Sequence, residues 1–85
     1  MSTLLVRVMV PDVWDEVPLE LPASATVAEL KRTALERLLV RRDPAGYVVK
    51  FRGAGLYDEH RSLADSGIIT NANLIVLPRR RRPVT

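Results

Sequence analysis

One segment with helical periodicity, flanked on both sides by strand patterns, constrains the fold of this chain more than any other feature. Thr26-Val-Ala-Glu29 matches a capping box, in which the Thr hydroxyl accepts a hydrogen bond from the third helical amide. Apolar residues then recur at three- and four-residue spacing, at Val27, Leu30, Ala34, Leu35, Leu38 and Leu39. We predict one amphipathic helix from about Val27 to Val40, with Lys31 among the polar residues that cover its other side.

The segment before this helix has the pattern of two strands. Thr3 to Val10 (TLLVRVMV) is rich in β-branched residues and predicts the first strand. Its wholly aliphatic face, which we expect to point to the core, consists of Leu4, Val6, Val8 and Val10. Residues 16–22 (EVPLELP) predict a second strand. Because Pro18 has no N–H to donate, this strand should lie at a sheet edge.

The segment after the helix predicts a return to the same sheet. Residues 41–46 form a turn, Tyr47 to Arg52 a third strand, and a short extended piece follows around Leu56. Leu74 to Leu77 is the last strand. The order β-β-α-β-β, with a small extra strand before the last, predicts an α+β fold in which one helix covers one face of a sheet.

The polar loop over residues 58–66 has one clear apolar anchor, Leu63. Gly67, which follows this loop, should take a positive φ and so direct Ile68 back to the core. The loop therefore closes onto the interior at both of these apolar positions.

Composition bounds the architecture to one domain, because a chain of 85 residues can support only one modest core. We predict a domain over residues 1–77 and a basic, disordered tail over residues 78–85. Cysteine is absent, which excludes disulfides, thiolate metal sites and a thiol nucleophile. We read neither a signal peptide nor an apolar run of about 18 residues, so a cytoplasmic protein without a membrane span is expected.

Two longer segments, VPLELPASATVAELK and VKFRGAGLYDEHRSLADSGI, carry more specific information. The first resembles the second strand and helix start of ubiquitin, and the second resembles its stretch from the third strand to the buried isoleucine. The most specific spacing is that of Phe51, Gly53, Leu56, Leu63, Asp65, Gly67 and Ile68. The resemblance covers residues 3–77 and implies a ubiquitin-like β-grasp fold, with a mixed sheet of four to five strands packed on one helix.

Two departures from ubiquitin bear on function. Conjugated members of the family end in Gly-Gly, whereas this chain ends in PRRRRPVT and contains no Gly-Gly pair. The resemblance therefore implies a non-conjugated protein, and the alternative is a modifier with a processed or atypical C-terminus. The central isoleucine of the ubiquitin recognition patch aligns with Lys50, so ordinary ubiquitin receptors should bind poorly, since burying an unpaired lysine is costly.

The sheet face opposite the helix is the candidate partner-binding surface. Its predicted residues are Leu5, Arg7, Met9, Val48, Lys50, Ile75 and Leu77. Apolar side chains there have no helix to cover them, so we expect this face to dock another protein; the alternative is a solvated, slightly apolar sheet. Trp14, in the first hairpin connection, is a second candidate, and its alternative is packing back over its own strand.

The charge of the chain divides into a neutral body and a basic end. Residues 1–77 hold nine Lys and Arg against ten Asp and Glu, so the net charge of +3 comes from Arg79, Arg80, Arg81 and Arg82. These arginines could bind RNA or DNA weakly through phosphates. We favour a solvated tail and expect no dedicated nucleic-acid partner, because the body lacks a basic stripe with stacking aromatics.

No residue set predicts catalysis. His60 lies near Asp58, Ser62, Asp65 and Ser66, but one exposed loop cannot hold a triad to the required geometry. We expect no enzyme activity, no cofactor and no metal.

The sequence thus predicts a non-conjugated ubiquitin-like interaction module, resembling the accessory proteins of bacterial type VII secretion loci or the β-grasp subunits of multicomponent monooxygenases.

Overall fold

The computed structural model describes residues 3–79. In chain order its elements are β1 (Thr3–Val10), β2 (Asp15–Pro22), α1 (Val27–Arg37), β3 (Tyr47–Phe51), β4 (Ala54–Leu56) and β5 (Asn73–Pro78). Short 3₁₀ turns at Pro11–Val13 and Pro44–Gly46 follow β1 and precede β3. The predicted order of strands and helix is confirmed, including the small extra strand before the last.

The five strands form one mixed sheet in the order β2-β1-β5-β3-β4. β1 pairs antiparallel with β2 and parallel with β5, while β3 pairs antiparallel with both β5 and β4. The prediction that β2 is an edge strand is therefore confirmed. The amide of Arg7 donates to Ala72 on the β5 side, so the missing N–H of its cross-strand partner Pro18 faces away from β1.

The core lies between α1 and one face of the sheet and is almost wholly aliphatic. Its most completely buried members include Val6, Val8, Val10, Val27, Leu30, Leu35, Leu63, Leu74 and Val76. Each such side chain contributes about 1.5–3 kcal/mol by leaving water, so this interior dominates the stability of a domain that has no disulfide. Leu4 and Leu21 are only partly buried and pack against the edge of this core.

The helix begins as predicted and ends earlier than predicted. Thr26 Oγ1 accepts from the amide of Glu29 at 3.1 Å, which is the predicted cap. The prediction that the helix reaches Val40 was wrong, because Leu39 adopts a left-handed conformation with φ 58°. Val40 N then donates to Leu35 O and Leu39 N to Glu36 O, which is a Schellman motif with leucine where glycine is usual.

The loop after β4 is bonded to the N-terminal end of α1 and the residues before it. Leu63 N donates to Ala25 O at 2.8 Å and Val27 N donates to Arg61 O at 3.1 Å, so Leu63 is held in the core as predicted. Gly67 has φ 83° and Ile68 is buried, which confirms both expectations for this turn. Among residues 3–79, no helix has the length and apolar character that a membrane crossing requires.

Candidate functional site

The sheet face opposite α1, which we call the outer face, brings the predicted partner-binding residues of three strands together. Lys50 on β3 lies opposite Ile75 on β5, and Ile75 lies beside Met9 on β1. Val48 lies opposite Leu77 on the same two strands, β3 and β5. The register therefore places Met9, Ile75 and Lys50 in one row across three strands. Val48 and Leu77 form a second pair on the same face, two residues away on each strand, as period-2 alternation requires.

Exposure on the outer face is uneven. Leu5 and Ile75 are 47% and 41% exposed, and Met9, Lys50 and Leu77 are half-buried. Val48, expected on the open surface, is only 5% exposed. It shares the lining of a groove with Tyr57, Leu77, Pro78 and Arg79. The period-2 alternation correctly predicted that Val48 lies on the outer face, but it could not predict how deeply Val48 is buried.

The two cations on this face, Arg7 and Lys50, differ in whether they have an ion-pair partner. Arg7 Nη1 lies 3.4 Å from Glu16 Oε1, and both side chains are largely exposed, so this ion pair contributes little to stability. Lys50, by contrast, has no hydrogen-bond or ion-pair partner within residues 3–79. The outer face therefore presents a half-buried lysine beside aliphatic side chains.

Trp14 stands at the tip of the first hairpin connection and is 83% exposed. Its backbone is left-handed, with φ 51°, and its amide donates to Pro11 O at 3.1 Å. The alternative in which the ring packs back over its own strand does not occur. An indole this exposed is available to a partner, although it is not part of the outer face.

Arg79, assigned from sequence to the tail, is bound to the folded domain. Its amide donates to Gly46 O at 2.7 Å and its Nε donates to Ala45 O at 3.0 Å. Its guanidinium also lies 3.6 Å from the carboxylate of Glu59. β5 itself extends to Pro78, so the ordered domain continues at least two residues past the predicted boundary at residue 77. The predictions for Arg80, Arg81 and Arg82, and for the rest of the tail, fall outside the described residues.

Sequence reasoning missed a buried ion pair beneath β3. Lys31 is 2% exposed, and its Nζ donates to Glu59 Oε2 at 2.6 Å and to Tyr47 O at 3.1 Å. The prediction that Lys31 lies on the polar side of the helix was therefore wrong. The helical spacing could have predicted this burial, because Lys31 is four residues from both Val27 and Leu35 and therefore lies on the same face of the helix.

The position of Tyr47 explains why its carbonyl needs this lysine. The Arg79–Gly46 bond fixes the register of β5 on β3, and in this register Tyr47 O points away from β5. β4 pairs only with residues 49–51 of β3 and does not reach this carbonyl. Lys31 therefore supplies the donor that a longer neighbouring strand would have supplied.

The loop around His60 has a structural explanation for its polar residues. His60 is exposed, and Ser62 Oγ accepts from the amide of Asp65 at 3.0 Å. Ser66 Oγ donates to Ser62 O at 2.9 Å. These bonds close the turn that holds Leu63 in the core.

Solved structures of low sequence identity share this architecture. The ubiquitin-like domain of an Arabidopsis thaliana protein is 19% identical with a TM-score of 0.77, over all of this chain and 86% of that one. Caldiarchaeum subterraneum ubiquitin is 13% identical with a TM-score of 0.78, over 96% of this chain and 100% of that one. This chain has the ubiquitin-like β-grasp fold.

A protein designed on the basis of ubiquitin gives the same result, with 17% identity and a TM-score of 0.79 over 98% of this chain and 96% of that one. No protein-family model and no curated protein sequence matches the chain. The likeness to ubiquitin thus lies in the path of the backbone, which does not by itself imply a function.

Proposed function

We propose that this ubiquitin-like domain is a non-conjugated protein-interaction module that binds a partner protein through its outer face. The observation that supports it is an aliphatic surface that no second layer within residues 3–79 covers. Leu5 and Ile75 are exposed, and Met9 and Leu77 continue the apolar surface between the polar residues. Apolar patches rimmed by polar residues are typical of protein interfaces. Trp14 is proposed as an additional anchor at the hairpin tip.

The non-conjugated part of the proposal rests on the end of β5 and the sequence after it. Pro78 pairs with Tyr47 on β3, Arg79 is bonded to the turn before β3, and no Gly-Gly pair that trimming could expose occurs in the sequence. The competing class is a modifier with a processed or atypical C-terminus. Incubation with an activating enzyme and ATP separates the two classes, because a modifier forms an adenylate or a mass-shifted conjugate and the proposed module forms neither.

The proposal takes the module to act in the cytoplasm as an accessory or assembly subunit. The type VII secretion and multicomponent monooxygenase settings suggested by the sequence resemblance differ in the partner they offer. The immobilised chain should retain one dominant partner from a host lysate, and the identity of that partner distinguishes the two settings.

Surface variants test the binding face itself. We expect Ile75→Glu and Leu5→Glu to lose the retained partner, because a carboxylate would have to be buried in an apolar interface. Leu39→Glu is the matched control, since Leu39 is also an exposed leucine but lies at the end of the helix. Retention by both outer-face variants, at unchanged melting temperature, would refute the proposed surface.

A further inference from the structure

The outer face deepens into a groove at its β3–β5 end. The groove, which we call the Tyr57 groove, has a volume of about 930 Å³. It is lined by Val48, Lys50, Tyr57, Leu77, Pro78 and Arg79. Val48 and Leu77 are cross-strand neighbours and provide an apolar floor.

Two side chains with independent supports form one wall of this groove. The ring of Tyr57 packs against Gly55 so closely that a Cβ at Gly55 would lie 2.5 Å from ring atoms. Arg79 is fixed by its bonds to Ala45 and Gly46, and its guanidinium carbon lies 6.0 Å from the centroid of the Tyr57 ring. The fold therefore holds Arg79 in place and limits the Tyr57 ring, which is 66% exposed, on the side of Gly55.

The charges around the groove do not balance. Glu59 is shared between Lys31 and Arg79, so one carboxylate serves two cations. Lys50 adds a third cation and is unpaired among residues 3–79. Among residues 3–79, the lining of the groove holds two cations, Lys50 and Arg79, and no carboxylate. Asp58 and Asp65 line the neighbouring pocket, together with Arg61.

We propose that the Tyr57 groove binds an acidic segment of the partner protein, in which an aliphatic side chain lies next to carboxylates. The aliphatic side chain would pack mainly on Leu77, above the buried Val48, and the carboxylates would meet Lys50 and Arg79. This inference rests on the proposed function and specifies the chemistry of the partner.

The chain that continues beyond the groove favours the same occupant. Arg80, Arg81 and Arg82 follow Arg79 in the sequence and add three positive charges to a chain whose residues 1–77 carry a net charge of −1. A nucleic acid would gain contacts with the arginines, but its phosphates would gain nothing from the floor of Val48 and Leu77.

Binding of labelled probes tests the inference. The acidic probe is a fluorescein-labelled hexapeptide with a Val-Leu pair between two Asp-Glu pairs. Three comparison probes are used. In the first peptide lysines replace the acidic residues, in the second peptide serines replace the Val-Leu pair, and the third probe is an oligonucleotide of the same charge as the acidic peptide. We expect the acidic apolar peptide to bind best by fluorescence anisotropy, and to weaken at least about tenfold from about 50 mM to about 500 mM salt.

Variants then locate the binding. Lys50→Glu should weaken the acidic peptide at least about tenfold, because it places like charge in the groove. Arg32→Glu is the matched control, since it makes the same charge change on the exposed side of α1 and should alter binding less than about twofold.

Three results would overturn the inference. They are equal loss in the Lys50 and Arg32 variants, no binding of the acidic peptide at about 1 mM, and tighter binding of the oligonucleotide. If any of these occurs while Ile75→Glu still abolishes partner capture, the acidic segment is excluded and the outer-face proposal stands.

Discussion

Glu59→Gln removes the charged partner of a lysine that the fold buries beneath β3. Lys31 Nζ lies 2.6 Å from Glu59 Oε2, and the lysine side chain is 3% exposed. After the substitution the ammonium keeps its bond to Tyr47 O but loses its counter-charge. Removing one partner of a buried pair destabilises strongly, because the remaining charge stays desolvated.

The structure sets the magnitude of this effect. Breaking a buried pair costs about 3–5 kcal/mol. A domain of this size has a total stability of about 4–13 kcal/mol, so this loss is a large part of it. At about 4–8 °C per kcal/mol, the loss corresponds to a fall in melting temperature of about 12–40 °C. Lys31→Met should cost less, about 1–3 kcal/mol, because it leaves only the Tyr47 carbonyl unsatisfied and Glu59 retains Arg79 at 3.6 Å.

Urea unfolding at pH 7, followed by far-UV circular dichroism, measures these costs. The double variant Lys31→Met/Glu59→Gln should be more stable than the sum of the single variants predicts, by about 2–3 kcal/mol. Asp58→Asn, at the exposed neighbouring residue, is the control and should change stability by less than about 0.5 kcal/mol. Additive single costs, or a loss below about 1 kcal/mol for Glu59→Gln, would refute the buried-pair reasoning.

Three further predictions concern the core, the helix end and one phenol. Leu63→Ala should cost about 2–5 kcal/mol in urea unfolding, because Leu63 is fully buried, and a cost below about 1 kcal/mol would contradict its role as anchor. Leu39→Gly should stabilise by about 0.5–1 kcal/mol, since relief of about 1–2 kcal/mol of left-handed strain exceeds the added chain entropy; a destabilisation would contradict it. Burial, and then the hydrogen bond to Asp12, raise the pKa of Tyr47 above its ordinary value of 10.0. The unfolded phenol therefore loses its proton first, so stability should fall as pH rises above about 10, and Tyr47→Phe should flatten this decline between about pH 9 and 11. An equally steep decline in the variant would exclude this origin.

The fold could be predicted from the sequence because its local signals agree with one another. Strict alternation placed Val6, Val8 and Val10 in the core, and Pro18 identified an edge strand. The helix end could not be located by pattern, since Leu39 continues the apolar spacing while adopting a conformation that usually requires glycine.

The candidate site was only partly predictable, since depth and pairing depend on neighbours distant in sequence. Val48 is buried and lines a groove with residues that follow β4 and end β5, and Arg79 belongs to the domain through bonds to the turn before β3. Lys31 pairs with a carboxylate in the loop after β4. Periodicity indicates which face a residue occupies, but these partners become visible only when the tertiary structure is known.

The most direct test of the outer face is a ¹⁵N–¹H correlation spectrum of the labelled chain, titrated with the partner that wild type retains and Ile75→Glu loses. The account predicts that the largest shift changes fall on β1, β3 and β5, at Leu5, Val48, Lys50, Ile75 and Leu77. Changes confined to the exposed side of α1, at Arg32 and Glu36, with the strands unaffected, would contradict it.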